Sequence, residues 1–135
     1  MKIFLKRLLL ILLITFFVLQ FFRPTKNISA SKSINDITTK YAVPADVMAS
    51  LQNSCYDCHS NNTKYPWYSN IQPAAWWLAD HIEEGKKEIN FNEFSAYSLR
   101  RQYRKFKEIN NQLEEDEMPL QSYTIIHGDA KLTKE

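Results

Sequence analysis

Two glycines are few for a chain of 135 residues. No segment alternates polar and apolar side chains for long. Sheet proteins usually need glycine in their tight turns, so both scarcities exclude a β-rich fold. A surplus of one charge is also missing. Lys2, Lys6 and Arg7 stand at the extreme N-terminus. Taking these three from the 17 Lys and Arg leaves 14 basic residues against 15 acidic ones, so the net charge of +2 belongs to the first few positions. The remainder is near neutral, and no nucleic-acid footprint is indicated. Cysteine is scarcest in consequence: Cys55 and Cys58 are the only two, and His59 follows the second at once.

Aromatic residues are plentiful, with 8 Phe, 7 Tyr and 3 Trp. The length suits one domain. The chain opens on a basic start followed by an apolar run from Leu8 to Phe22, broken only by Thr15 and Gln20. At about 1.5 Å per residue that run spans ~22 Å, short of a ~30 Å hydrocarbon core. A cleaved signal peptide and an uncleaved anchor compete for residues 1–22. The anchor is adopted, with Ile3, Phe4 and Leu5 adding length while Lys6 and Arg7 snorkel. A basic start places the N-terminus inside and the rest outside. The expected location is therefore the cell envelope: a domain in the periplasm held by an inner-membrane helix, or free in the periplasm where the leader is cut.

Residues 23–40 are polar and rich in Ser, Thr and Asn, as a linker is. The domain is expected over residues 41–135. Four helical segments follow. One begins at Pro44 with Val47, Met48 and Leu51 on one side. The second starts at Pro73, with Trp77, Leu78, His81 and Ile82 at helical spacing and Gly85 as a stop. The longest has Asn92 as its N-cap and a stripe of Leu99, Tyr103, Phe106, Ile109 and Leu113. A short one covers "LQSYTIIHGD" and ends at Gly128. The fold expected from the residues is a small all-α domain on a membrane stalk.

Four readings of "CYDCH" remain open on the residues alone. Both thiols can add to the vinyl groups of haem, with His59 as proximal iron ligand; Cys-x-x-Cys-His is the haem c attachment pattern. A redox-active dithiol expects a strand-to-helix context and leaves His59 without a role. Zinc bound by Cys55, Cys58 and His81 or His127 lacks metal-finger spacing. A plain disulfide beside an incidental histidine is the fourth. Haem is the leading reading, because it uses every position of the motif.

A histidine-bound iron leaves a sixth position. Met118, after the longest helix and before Pro119, is the first candidate; a thioether there raises the reduction potential. His81, His127 and an open position are the alternatives. Met48 lies too close to the motif to reach the far face. Tyr65, Trp67, Tyr68, Trp76 and Trp77 are candidates to wall off the haem. Arg100, Arg101, Arg104, Lys105 and Lys107 are either a solvated helix face or a contact for propionates or an acidic redox partner.

The stretches "CYDCHSNNTKYPWYSNIQP", "AWWLADHIEEGKKEINFNEF", "SLRRQYRKFKEI" and "EMPLQSYTIIHGDAKLT" together resemble the bacterial haem-binding domain family, small membrane-tethered proteins similar to c-type cytochromes and found in Bacteroidetes. The resemblance runs from Asn53 to Thr133. It implies a cytochrome-c-like helical domain, covalent haem at Cys55 and Cys58, His59 on the iron and Met118 as distal ligand. Relatives continue past "DAKLT" into a further helix; here the chain stops at "KLTKE", where Thr133 is a fair N-cap. The function expected is one-electron transfer in the periplasm to a redox partner protein, without enzymatic activity. The alternatives are an open-site haem protein, peroxidase-like or a gas or redox sensor, and a dithiol oxidoreductase.

Overall fold

The computed structural model describes residues 1–132. Thr133, read above as an N-cap, lies outside them. Among the described residues the regular structure is helical, apart from one isolated antiparallel bridge between Ile28 and Asn62. The α-helices are α1 (Lys2–Leu19), α2 (Ala45–Ser54), α3 (Tyr56–His59), α4 (Ala74–Glu88), α5 (Leu99–Glu114) and α6 (Gln121–Ile126). Short 3-10 helices cover Ile37–Thr39, Trp67–Asn70, Phe91–Ala96 and Gly128–Ala130.

The all-α expectation holds, but the membrane stalk does not. No helix among the described residues is long and apolar enough to cross a membrane. Helix α1 has 18 residues, and Lys2, Lys6 and Arg7 all fall inside it. Only Leu8–Leu19 is free of charge, about 18 Å of helix against a hydrocarbon core of about 30 Å. The inner-membrane anchor is therefore withdrawn.

The chain divides into two compact units. The first combines Met1–Lys26 with Lys64–His81. Its organiser is Gln72, which is 1% exposed. The Gln72 backbone N–H donates to Gln20 Oε1 at 2.9 Å and its Nε2 to the Phe22 carbonyl at 2.8 Å. Trp76 Nε1 donates to that same carbonyl at 2.7 Å.

The second unit combines Asn27–Thr63 with the chain from Ile82 onward. Its core is Ile37, Ile89, Phe91 and Phe94, with Tyr41, Met48, Leu51, Cys55, Tyr56 and Ile109 packed against it. Ile37 comes from the stretch read as linker. Asp36 caps its 3-10 turn by accepting from the Thr38 backbone N–H, and the turn delivers one apolar side chain to the core. Thr38 and Asn92 hydrogen bonds hold the Asp36 carboxyl below its usual range, against the opposing effect of burial.

The longest helix begins later than its apolar pattern implies. Asn90, not Asn92, is a cap, and it opens the 3-10 helix Phe91–Ala96. Ser98 then caps α5 by accepting from the Arg101 backbone N–H. The expected stripe splits: Leu99 and Tyr103 are each 70% exposed, Phe106 and Ile109 pack against the core, and Gln102 and Lys105 are buried beside them. The reason is local. The 3-10 turn under α5 leaves carbonyls that need donors, and Gln102 provides them. Its Nε2 lies 2.6 Å from the Tyr97 carbonyl and within 3.4 Å of those of Phe94 and Ser95. Its Oε1 accepts from the Tyr41 hydroxyl at 2.7 Å.

Helix α5 ends in a Schellman turn. The Glu117 N–H reaches back to the Gln112 carbonyl at 2.9 Å, and the Asp116 N–H to that of Leu113 at 3.3 Å. Asp116 is thereby left-handed, at φ 55. An aspartate there meets two costs: a conformation glycine adopts more readily, and a negative charge at the negative helix pole. Asp116→Gly is expected to stabilise the protein by about 0.5–1 kcal/mol, read as a higher urea midpoint. Asp116→Asn removes the charge while keeping a side chain and should give a smaller gain. A lower midpoint in both variants contradicts this account.

Candidate functional site

Helix α3 is one turn long and is the motif itself. The Cys58 N–H bonds the Cys55 carbonyl at 3.2 Å and the His59 N–H bonds it at 2.9 Å. Cys55 caps the turn and Cys58 lies within it, three residues on. No disulfide joins them. Burial pushes both thiols up, to about 11. A dithiol oxidoreductase needs the opposite, an attacking cysteine lowered towards neutrality. Thiols that stay protonated at neutral pH do not match that chemistry. Zinc fares no better: among the described residues no group of three His, Cys, Asp or Glu is arranged to hold a metal ion.

His59 is oriented by the end of α4. Its Nδ1 lies 2.8 Å from the Gly85 carbonyl and 3.1 Å from the Ile89 carbonyl. Carbonyl oxygens only accept, so Nδ1 carries the proton and donates. Nε2 is then the nitrogen with a free lone pair, the tautomer an axial ligand requires. Burial holds the imidazole below its ordinary pKa, although the two carbonyls work against it. The ring is therefore neutral at pH 7. Phe91 meets it edge-on at 6.4 Å, and Tyr56 stacks on Phe91 at 5.4 Å.

The approach that makes this possible depends on Gly85. It does not stop α4, which runs on to Glu88. A Cβ at position 85 would sit 2.9 Å from the Cys58 carbonyl oxygen and 3.1 Å from Cys58 Cβ. Glycine is present because the motif's backbone lies directly against the helix.

The loop after the motif is held by amides. The Asn61 backbone N–H donates to Asn92 Oδ1 at 2.7 Å, and its side chain bonds Glu93 and Asn90. Asn27 donates to the Ser60 carbonyl at 2.9 Å and accepts from Lys86 Nζ at 2.6 Å. This network escaped sequence reasoning. Its only trace was the repeated Asn of "SNN" and "NFNEF", which also reads as loop.

Met118, the expected distal ligand, lies half-buried in the turn between α5 and α6, with its backbone N–H bonded to the Gln112 carbonyl at 3.2 Å. Its neighbourhood is tied to the motif through Tyr123 in α6, whose hydroxyl donates to Asp57 Oδ2 at 2.8 Å. Burial and this carboxylate raise the Tyr123 pKa, which keeps the hydroxyl a donor. His127 stacks on the Tyr123 ring at 4.3 Å. His81 belongs to the first unit, where its Nδ1 bonds the Trp77 carbonyl at 2.8 Å and its ring lies on that of Trp77.

Other expected residues are placed differently. Tyr65, Trp67, Tyr68, Trp76 and Trp77 all belong to the first unit. The aromatic rings around the motif are Tyr56 and Phe91. Lys105, grouped above with a basic face, is buried and paired with Glu88 at 3.1 Å and Glu108 at 2.6 Å. The Arg101 guanidinium lies 3.9 Å from the Tyr97 ring centroid. Arg104 pairs with Glu108 at the surface.

The donor set fits haem: two cysteines three residues apart at a helical turn, then an imidazole with Nδ1 engaged and Nε2 available. Haem-binding proteins are the class that this site defines. The haem-binding domain family matches residues 14–135, and the chain belongs to that family. No curated protein and no solved structure matches it.

Proposed function

We propose that the protein is a one-electron carrier holding a single covalent haem c. Cys55 and Cys58 would form the thioether anchors, and His59 Nε2 and the Met118 sulfur would hold the iron. The observation that carries this reading is His59 Nδ1 held between the Gly85 and Ile89 carbonyls, directly after the Cys55–Cys58 pair. When bound, haem supplies the reversible one-electron couple. The protein supplies the rest. Gly85 and Ile89 keep the proton on Nδ1 and fix the ring plane. Phe91 and Tyr56 shield the imidazole from water. The Met118 thioether favours the ferrous state and raises the potential. With His59 and Met118 both holding the iron, a substrate would have no place on it, and the chain would pass electrons to a redox partner protein without being an enzyme itself.

The test is spectroscopic. Haem-loaded protein is expected to be low-spin, with a sulfur–iron charge-transfer band that Met118→Ala abolishes, along with a fall in potential. Intact mass should show one haem retained after denaturation, and both cysteines should resist iodoacetamide. A five-coordinate, high-spin spectrum that Met118→Ala leaves unchanged would establish an open site instead. Alkylation of both cysteines in the loaded protein would remove covalent attachment from the account.

A further inference from the structure

We propose that Tyr123 is a positioning residue for the distal side of the iron, acting through Asp57 inside the attachment motif. The proposal rests on the reading of Met118 as axial ligand. Asp57 stands between the two cysteines, so its place is set by the same turn that anchors the macrocycle. That turn is stiffened from below, where Thr63 Oγ1 donates to the Asp57 carbonyl at 2.6 Å. The Asp57 carboxylate then accepts from the Tyr123 hydroxyl at 2.8 Å, across 66 residues of chain.

Tyr123 lies five positions after Met118, and a hydrogen-bonded turn fills the gap. The Tyr123 and Thr124 N–H groups both bond the Leu120 carbonyl, at 3.0 and 3.1 Å. Leu120 follows Pro119, which follows Met118. Holding Tyr123 therefore holds the end of the Met118 turn.

Helix α6 has few other restraints. None of its residues is fully buried, and Ile125 and Ile126 face solvent. It packs on the turn Gly128–Ala130, which in turn packs on α2 through the buried Ala130. The tyrosine–aspartate bond links it directly to the motif. His127 stacked on the far side of the Tyr123 ring limits how the phenol can swing. A hydrogen bond to a charged acceptor is stronger than a neutral one. Its loss should free the methionine turn without touching the iron, the thioethers or His59.

The experiment uses the full haem-loaded chain in the ferric state, titrated with imidazole, which must displace the methionine to bind. Tyr123→Phe removes only the hydroxyl and is expected to tighten imidazole binding roughly tenfold or more. Asp57→Ala should do the same, and the two changes together should add little, because they break one bond. Asp57→Asn keeps an acceptor oxygen and should restore much of the wild-type resistance. A merely structural tyrosine would lower the unfolding midpoint yet leave the imidazole affinity and this rescue unchanged. Wild-type imidazole affinity in Tyr123→Phe and Asp57→Ala, in a protein whose sulfur–iron band is lost on Met118→Ala, overturns the positioning role while keeping the ligand. A Met118→Ala protein that retains the band overturns both, since there is then no methionine ligand to position.

Discussion

Gly85→Ala is expected to destabilise the protein by about 1–2 kcal/mol, although alanine is the better helix former. Two effects oppose each other. Alanine in a helix interior is favoured over glycine by about 1 kcal/mol. Against that stands the new Cβ at 2.9 Å from the Cys58 carbonyl oxygen and 3.1 Å from Cys58 Cβ. Those atoms belong to the backbone and the root of a side chain, so neither can swing away. Overpacking of this kind costs about 1–3 kcal/mol, and more where the backbone itself must move. The clash should win. The displacement also pushes α3 from α4, and the 2.8 Å bond from His59 Nδ1 to the Gly85 carbonyl is the first to lengthen. Haem retention should fall with stability, and Gly85→Val should lose more of both. Gly128→Ala is the internal control, because nothing lies within 4 Å of a Cβ there. Urea unfolding of the four proteins decides it: equal midpoints for wild type and Gly85→Ala would show that the motif can retreat at little cost.

Gln102→Leu should cost about 3 kcal/mol, since several polar groups lose their partner at once. An orphaned buried donor or acceptor costs about 1–3 kcal/mol. Here the Tyr97 carbonyl loses a 2.6 Å bond and the Tyr41 hydroxyl a 2.7 Å bond. The Phe94 carbonyl also accepts from the Tyr97 N–H at 3.1 Å and so loses less. Leucine offers hydrophobic burial in return, but this is a site built for an amide. Gln102→Glu tests the donor side alone: a carboxylate would face three carbonyls with nothing to give, and it should be at least as damaging. An unfolding midpoint within error of wild type for Gln102→Leu would mean that water reaches these groups.

The legible part of the site was the part that is local in sequence. Cys55, Cys58 and His59 form a single helical turn, so their spacing is their geometry. Gly85 was visible, but its role was misread. Glycine near the end of a helical pattern reads as a stop, whereas here it admits the backbone of a segment 27 positions away. Nothing in the neighbouring residues distinguishes the two uses. Helix α5 misled for a related reason. Leu99 and Tyr103 follow the helical period of the stripe yet face outward, because the first turns of the inward face are chosen by carbonyls of the 3-10 turn beneath. Gln102 answers them, and polar residues carry no periodicity signal for burial. Ile37 was lost in a polar stretch because one apolar side chain makes no pattern. The N-terminal run failed as a membrane span through its charges: three cations inside α1 leave too short an uncharged length.

By itself the sequence determined the helical class, through the scarcity of glycine and the absence of alternation, and it pointed to haem, because five consecutive residues match the haem c attachment pattern. Tertiary structure alone decided which nitrogen of His59 is free, since that depends on two carbonyls of α4. It also decided which face of α5 is buried and what ties α6 to the motif. Hydrogen-bond partners distant in the chain are set by packing, and side-chain identity at one position does not record the carbonyl that packing brings to it.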